Sequence, residues 1–264
     1  MTPDQAADLA EDAAQTAAQK ANIADGYAVD SSLPVTADML ALLEKETGRT
    51  PFWWGRYLGA VDAKGTPIVV KRNGVAEFNP TLNAPKEAPI LEASGVRLVS
   101  IARRSSQVCL GSDAGEKCGR EDAELLNAVL TRFPSTSKRL FLDVEMTPTL
   151  TSFFYKAWST EVQRAGSNPA VYMPNSQNWR AQWEALQTAI LRGAPCFGTW
   201  VAGYFGQSAK DCDEGTNTFS RETWQPHKAE GPANAPALAW QYLGNAYGKK
   251  FDFSILNPAV DPWW

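Results

Sequence analysis

The amino-acid sequence predicts an α/β fold, a TIM-like barrel with about five βα units and an irregular final third that ends in a β-hairpin. Apolar runs of strand length recur along the chain and alternate, over most of it, with stretches suited to helices, the pattern of a parallel sheet covered on its faces. The last two runs, 237–242 and 250–253, are separated by Gly244-Asn245-Ala246-Tyr247-Gly248, too short a gap for a crossover helix, so they pair as a hairpin. With 264 residues, 44% of them hydrophobic, the chain suffices for one large core, and a barrel uses it all.

Residues 2–24 are rich in Ala, Asp, Glu and Gln behind Pro3 and Asp4 and suit an amphipathic helix. It is expected to form an extension over 1–25, as a latch across a barrel end, ahead of a single barrel domain over 26–264. Residues 26–30 make the first strand, ended by Asp30, and 36–46 the helix after it. The phrase recurs: 52–57 is the second strand, 86–93 a helix, 96–102 the third strand, and 121–133 the helix leading into the fourth. Beyond that come a helix over 150–165, a strand over 170–173, a helix over 178–192 and a strand over 197–204. From 206 to 237 the chain is polar and rich in Gly and Pro without a helical period, which predicts a long rim loop.

A net charge of −4 with no block of like charges excludes a nucleic-acid groove or a membrane-surface patch. No apolar run approaches the ~20 residues that span a bilayer, and no signal peptide is visible. The four cysteines, Cys109, Cys118, Cys196 and Cys212, lack the paired spacing of a zinc site, and Gly-rich phosphate loops are absent, so neither metal nor cofactor is expected. Cys109 and Cys118 flank one polar loop and Cys196 and Cys212 another, so two local disulfides and an oxidising compartment are expected; four reduced cytosolic thiols are the alternative. The single histidine, His227, sits in a Pro- and Gly-rich stretch without a nucleophile elbow, which excludes Ser-His-Asp and Cys-His chemistry. Ser135 and Lys138 have S-x-x-K spacing but precede a strand instead of opening a helix. Carboxylates are the chemistry left.

They concentrate in Arg139-Leu140-Phe141-Leu142-Asp143-Val144-Glu145-Met146, an apolar run that ends in two acids one residue apart. Side chains alternate along a strand, so Asp143 and Glu145 point the same way while Val144 faces the opposite layer. Their Cα atoms lie two strand rises apart, roughly 6.5–7 Å. Two carboxyls that close push one toward keeping its proton, which sets an acid beside a base. The bland alternative is a strand-end pair that caps a helix or binds arginines.

Asp30 at a strand end, Asp143-Val144-Glu145, Ala170-Val171-Tyr172 before a polar turn, Trp240-Gln241-Tyr242 and a final Asp252 in Asp-x-Ser resemble the family 25 glycoside hydrolases, the lysozyme-like muramidases. Gly55-Arg56-Tyr57 and the strand after Gly95 are similar to glycoside-hydrolase-like domains of unknown function in the same superfamily. The resemblance covers roughly residues 26–257. The sequence departs from the pattern where Ala28-Val29-Asp30-Ser31 lacks the Asp-Val-Ser form and where a proline-rich segment precedes the seventh strand.

The resemblance implies that Glu145 is the general acid on the leaving sugar oxygen and that Asp143 stabilises positive charge at the anomeric side, directly or through the substrate's acetamido group. It further implies that Asp30 and Asp252 line the same pocket, and that Arg56, Tyr57, Tyr172, Trp200, Trp240 and Gln241 bind substrate. Ten tryptophans and seven tyrosines suit sugar chemistry, because flat rings stack on pyranose faces; Trp53, Trp54 and Tyr204 also fall at or near strands, and about half of these rings are expected to fill the barrel. Trp263 and Trp264 are expected to tuck under it. The expected activity is hydrolysis of β-1,4 bonds in an N-acetylated glycan, above all peptidoglycan. The alternatives are a non-catalytic glycan-binding barrel or a hydrolase of a different glycan. The expected setting is extracytoplasmic, as a monomer in the periplasm or secreted. Delivery would be by a phage lysis system or a contact-dependent secretion machine, or by a signal since removed, with an inhibitor or delivery partner.

Overall fold

A computed structural model of the protein describes residues 27–58, 70–72, 75–77, 84–103, 111–130, 139–145, 150–175, 179–204, 209–218 and 235–257. The helix expected over 2–24, His227 and the terminal tryptophans lie outside these residues. The strands are β1 (Tyr27–Ser31), β2 (Trp53–Leu58), β3 (Val70–Arg72), β4 (Val75–Glu77), β5 (Arg97–Arg103), β6 (Arg139–Asp143), β7 (Asn168–Pro174), β8 (Thr199–Ala202), β9 (Ala237–Asn245) and β10 (Phe251–Leu256). The helices are α1 (Ala37–Thr47), α2 (Ala84–Ala93), α3 (Ser112–Leu130), α4 (Ser152–Arg164), α5 (Arg180–Leu191) and α6 (Ala209–Glu214).

Eight strands close a barrel in the order β1-β10-β9-β8-β7-β6-β5-β2, and β3 and β4 form a separate hairpin that the sequence reading did not contain. Strands β2, β5, β6, β7, β8 and β9 pair parallel with their neighbours, as βα units require, whereas β10 runs antiparallel to both β9 and β1. The closing hairpin is therefore as expected. Its turn, 245–249, carries left-handed backbone at Asn245, Tyr247, Gly248 and Lys249.

Alternation along the strands divides the apolar residues into two layers. Ala28, Trp53, Tyr57, Val99, Ile101, Phe141, Ala170, Tyr172, Trp200, Ala239 and Leu256 pack inside the barrel. Val29, Trp54, Leu98, Leu142, Val171 and Phe253 face outward, against Leu43 of α1, Leu91 of α2, Phe154 and Trp158 of α4 and Leu186 of α5. Threonine caps set two of the helices: Thr36 accepts from the Met39 amide and Thr151 from the Phe154 amide, each at 3.2 Å.

Helix α3 begins at Ser112, which corrects the loop expected between Cys109 and Cys118. The misleading residues are Gly115 and Gly119, which normally weaken a helix. Here they let α4 approach: a Cβ on Gly119 would stand 2.3 Å from the Phe154 carbonyl oxygen. The rim segment expected to be irregular contains α6. Cys196 is a free thiol, which overturns its expected bond to Cys212. Among the described residues no helix is long and apolar enough to cross a membrane.

Arg56 and Glu87 are both buried, with Arg56 Nε 2.7 Å from Glu87 Oε2 and Nη2 donating to Oε1 at 3.2 Å. Arg56 Nη1 also donates to the Ser31 carbonyl at 2.6 Å, and Glu87 Oε2 accepts the Val35 amide at 2.9 Å, so the pair ties β2 and α2 to the loop after β1. Ser31 completes the clasp by donating its hydroxyl to the Lys250 carbonyl at 2.6 Å. Removing one partner strands a buried charge, so Arg56→Met should cost about 3–5 kcal/mol in urea unfolding, while Arg56→Met with Glu87→Leu should recover most of it. Equal losses from the single and double variants would show that desolvated charge is not what the pair balances.

Candidate functional site

The site lies at the end of the barrel where the parallel strands terminate, and each element brings one group to it. Asp30 is at the end of β1, in register with Asp252 on β10. Tyr57 lies one residue before the end of β2, Asp143 ends β6 with Glu145 two residues on, Tyr172 stands beside Asp143 on β7, and Gln241 of β9 is level with Ala202 of β8. Asp30 and Asp143 are buried, and Glu145 and Asp252 are half-buried. Asp143 Oδ1 accepts the Glu145 amide at 2.9 Å, so the first acid is held by the backbone of the second. Asp252 Oδ1 accepts the amide of Asn245 across the tight turn.

A hydrogen-bonded chain crosses the floor of the site. The hydroxyls of Tyr172 and Tyr204 both donate to Gln241 Oε1, the latter at 2.7 Å, and Gln241 Nε2 donates to Asp30 Oδ1 at 2.9 Å. Two donors on the amide oxygen fix the amide nitrogen toward the carboxyl. Asp30 Oδ2 is buried and has no hydrogen-bond partner among the described residues.

Burial pushes the Asp30 carboxyl well above the usual carboxylate range, and the fields of Asp252, Glu145 and Asp143 push the same way against the Gln241 hydrogen bond. Asp30 and Asp252 are register partners, and Asp143 ends a strand that runs parallel to β1, so the acids stand at the same mouth of the barrel. Burial likewise raises Asp252 to about 6, opposed by the Asn245 amide. The hydroxyls of Tyr57, Tyr172 and Tyr204 are raised by burial first and by the acids second, so they stay protonated and serve as donors.

Two of the expected substrate-binding residues turn the other way. Arg56 alternates with Gly55 and Tyr57 and points outward to Glu87, and Trp240 packs outside the barrel with Val201, Ala237, Trp183 and Ile255. Trp200 points inward but lies fully buried beneath the acids, its ring 5.1 Å from both Trp53 and Tyr172 and its indole nitrogen donating to Ser254 Oγ at 2.9 Å. Trp54 faces outward. Among the described residues the rings at the mouth are tyrosines, and Tyr204, 41% exposed, is the most open of them.

Two glycines make the arrangement possible. A Cβ on Gly55 would stand 2.8 Å from Asp30 Cβ and 2.9 Å from Trp200 Cη2, and one on Gly244 would stand 2.9 Å from the Tyr204 ring. Neither was singled out for this role from sequence, and the only available signal was a glycine inside an apolar strand. Among the described residues no group of three or more His, Cys, Asp or Glu side chains is placed to hold a metal ion.

No protein-family model and no curated protein matches the sequence. Solved structures share the fold. An uncharacterized protein of B. stearothermophilus aligns with a TM-score of 0.61 at 19% identity, over 88% of this chain and 96% of its own. A family 25 glycosyl hydrolase of Streptococcus pneumoniae, described as a virulence factor participating in host cell invasion, aligns with a TM-score of 0.55 at 14% identity, over 94% of each chain. A Tat-secreted protein of Mycobacterium tuberculosis aligns with a TM-score of 0.49 at 16% identity, over 90% of this chain and 99% of its own. The expected likeness to the family 25 barrel is thus present in the fold, at low identity.

The raised acids make stability depend on pH. Asp252 ionises near 6 in the fold but at about 3.9 when unfolded, so its favourable contribution is complete below about pH 4 and is lost as pH rises through 6. Wild type should therefore lose more stability between about pH 4 and 7 than Asp252→Asn does, by up to about 2 kcal/mol. Parallel urea titrations across that range check this, and parallel pH curves for the two proteins would contradict it.

Proposed function

We propose that this protein is a glycoside hydrolase that cleaves β-1,4 bonds of an N-acetylated glycan, with peptidoglycan as its substrate. The observation that supports the reading is the placement of Asp30, Asp143, Glu145 and Asp252 at the same mouth of a closed barrel, with Tyr172 in register beside Asp143. The fold shared with a family 25 glycosyl hydrolase supports it. In this reading Glu145, half-buried at the strand end, gives its proton to the leaving sugar oxygen. Asp143, its carboxyl aligned by the Glu145 amide, faces the positive charge that develops at the anomeric carbon or orients an acetamido group toward it. Tyr57, Tyr172 and Tyr204 offer hydroxyl donors and flat rings to the sugar, and Asp252 lines the opposite wall.

We further infer that the protein works outside the cytoplasm and that Cys109 is bonded to Cys118. Cys118 is disulfide-bonded, Cys109 lies outside the described residues, and an oxidising compartment suits such a bond. A non-reducing digest should yield Cys109 and Cys118 in one linked peptide, and Cys196 should react with a thiol reagent more slowly in the folded protein than after unfolding, because it is a half-buried free thiol whose acidity burial has weakened. A linked Cys196–Cys212 peptide would contradict this.

Glu145→Gln tests the mechanism. Release of reducing ends from purified peptidoglycan should fall by about 10² to 10⁴ while the melting temperature stays near that of wild type. Activity within a few-fold of wild type would remove Glu145 from its role.

A further inference from the structure

Asp30 and Asp252 stand directly opposite one another on antiparallel neighbours, and both belong to the set of strand positions that faces the barrel interior. Their surroundings differ. Asp252 is half-buried and its Oδ1 takes a backbone amide, so an ionised carboxylate is solvated there. Asp30 is wholly buried, its Oδ1 takes the amide nitrogen of Gln241, and its Oδ2 has no partner among the described residues. Among the described residues the groups that act on Asp30 are Asp252 from β10, Glu145 and Asp143 from the end of β6, and Gln241 from β9, none of them a cation. The Tyr57, Tyr172 and Tyr204 hydroxyls share the same acids as neighbours and are themselves neutral. With three acids and no cation against it among the described residues, a carboxylate buried there is costly, and keeping a proton removes most of that cost.

We propose that Asp30 and Asp252 form one carboxyl pair that carries a single proton across the neutral range, held on Oδ2 of the buried Asp30, with Asp252 as the ionised member toward the mouth. Gln241 fixes which oxygen carries the proton. Its nitrogen occupies Oδ1, and the two tyrosine hydroxyls on Oε1 keep the amide from turning over. Asp30 is thus a positioning residue. By staying neutral it leaves one negative charge on the pair instead of two, which limits the field that Glu145 must work against. This last consequence rests on the hydrolase reading; the pair itself does not.

Carboxyl-labelled aspartate NMR on the full chain tests the pair without reference to activity, with the Asp30 signal assigned by its loss in Asp30→Asn. Between about pH 6.5 and 8 the Asp30 carboxyl should give a protonated signal while Asp252 gives an ionised one. Asp252→Asn should lower the Asp30 midpoint by at least about one pH unit, a tenfold change in acidity, because it removes a like charge. Gln241→Leu should raise it, because the hydrogen bond that favours the ionised form is gone. An Asp30 signal already ionised at about pH 5, or a midpoint that neither variant moves, would overturn the proposal. If the protein releases nothing from peptidoglycan at any pH, the hydrolase reading fails while these titrations still judge the pair. If it does turn over, the rate should fall at high pH as Asp30 loses its proton, and a rate that persists beyond the Asp30 midpoint would contradict the role given to its neutrality.

Discussion

Closure of the barrel between β1 and β10 is the constraint on which the rest of the site depends. In an open sheet the first and last strands are edges, and Asp30 and Asp252 would be far apart. Antiparallel pairing of the two strands puts them in register instead, and the Ser31 hydroxyl on the Lys250 carbonyl pins the junction. The buried Arg56–Glu87 pair then holds the loop that leaves β1, so the strand end that carries Asp30 is fixed from both sides. A lone buried ion pair is weak evidence of net stability, but this one also binds the Ser31 carbonyl and the Val35 amide, and losing it would release the backbone next to an acid.

Inside the barrel the aromatic residues are zoned by depth. Trp53, Phe141 and Trp200 form an apolar plug, with Trp200 at its centre 5.6 Å from Phe141, and Tyr172 and Tyr204 carry their hydroxyls to Gln241. Tyrosine suits that boundary because one end of the ring is apolar and the other needs a hydrogen bond. The plug keeps water from below the acids, so their mutual repulsion is little screened and falls on the most buried of them. Tyr172 belongs to both zones. Its ring leans on Trp200 and its hydroxyl holds Gln241.

Much of this was legible from the sequence for physical reasons. An apolar run that ends in Asp143 and Glu145 cannot be an ordinary buried strand throughout, so a mouth at its end followed directly. The five residues from Gly244 to Gly248 are too few to cross a sheet, which gave the antiparallel close. What stayed hidden depends on register and on neighbours distant in the chain. Trp240 and Gln241 are adjacent, so only one can face inward, and the register shifts near Thr199 and Phe253 decide which. Arg56 looked like a sugar ligand because its partner Glu87 is far away in sequence. Gly115 and Gly119 looked like a loop because their use is to admit a second helix, and that helix is invisible in a local reading.

On the proposed function these acids cut a glycan backbone. Mass spectrometry of the soluble fragments that the protein releases from purified peptidoglycan tests this most directly. The expected fragments end in a newly exposed reducing N-acetylated sugar, with peptide stems intact. Fragments severed within the peptide stems, or none at all from folded protein, would contradict it.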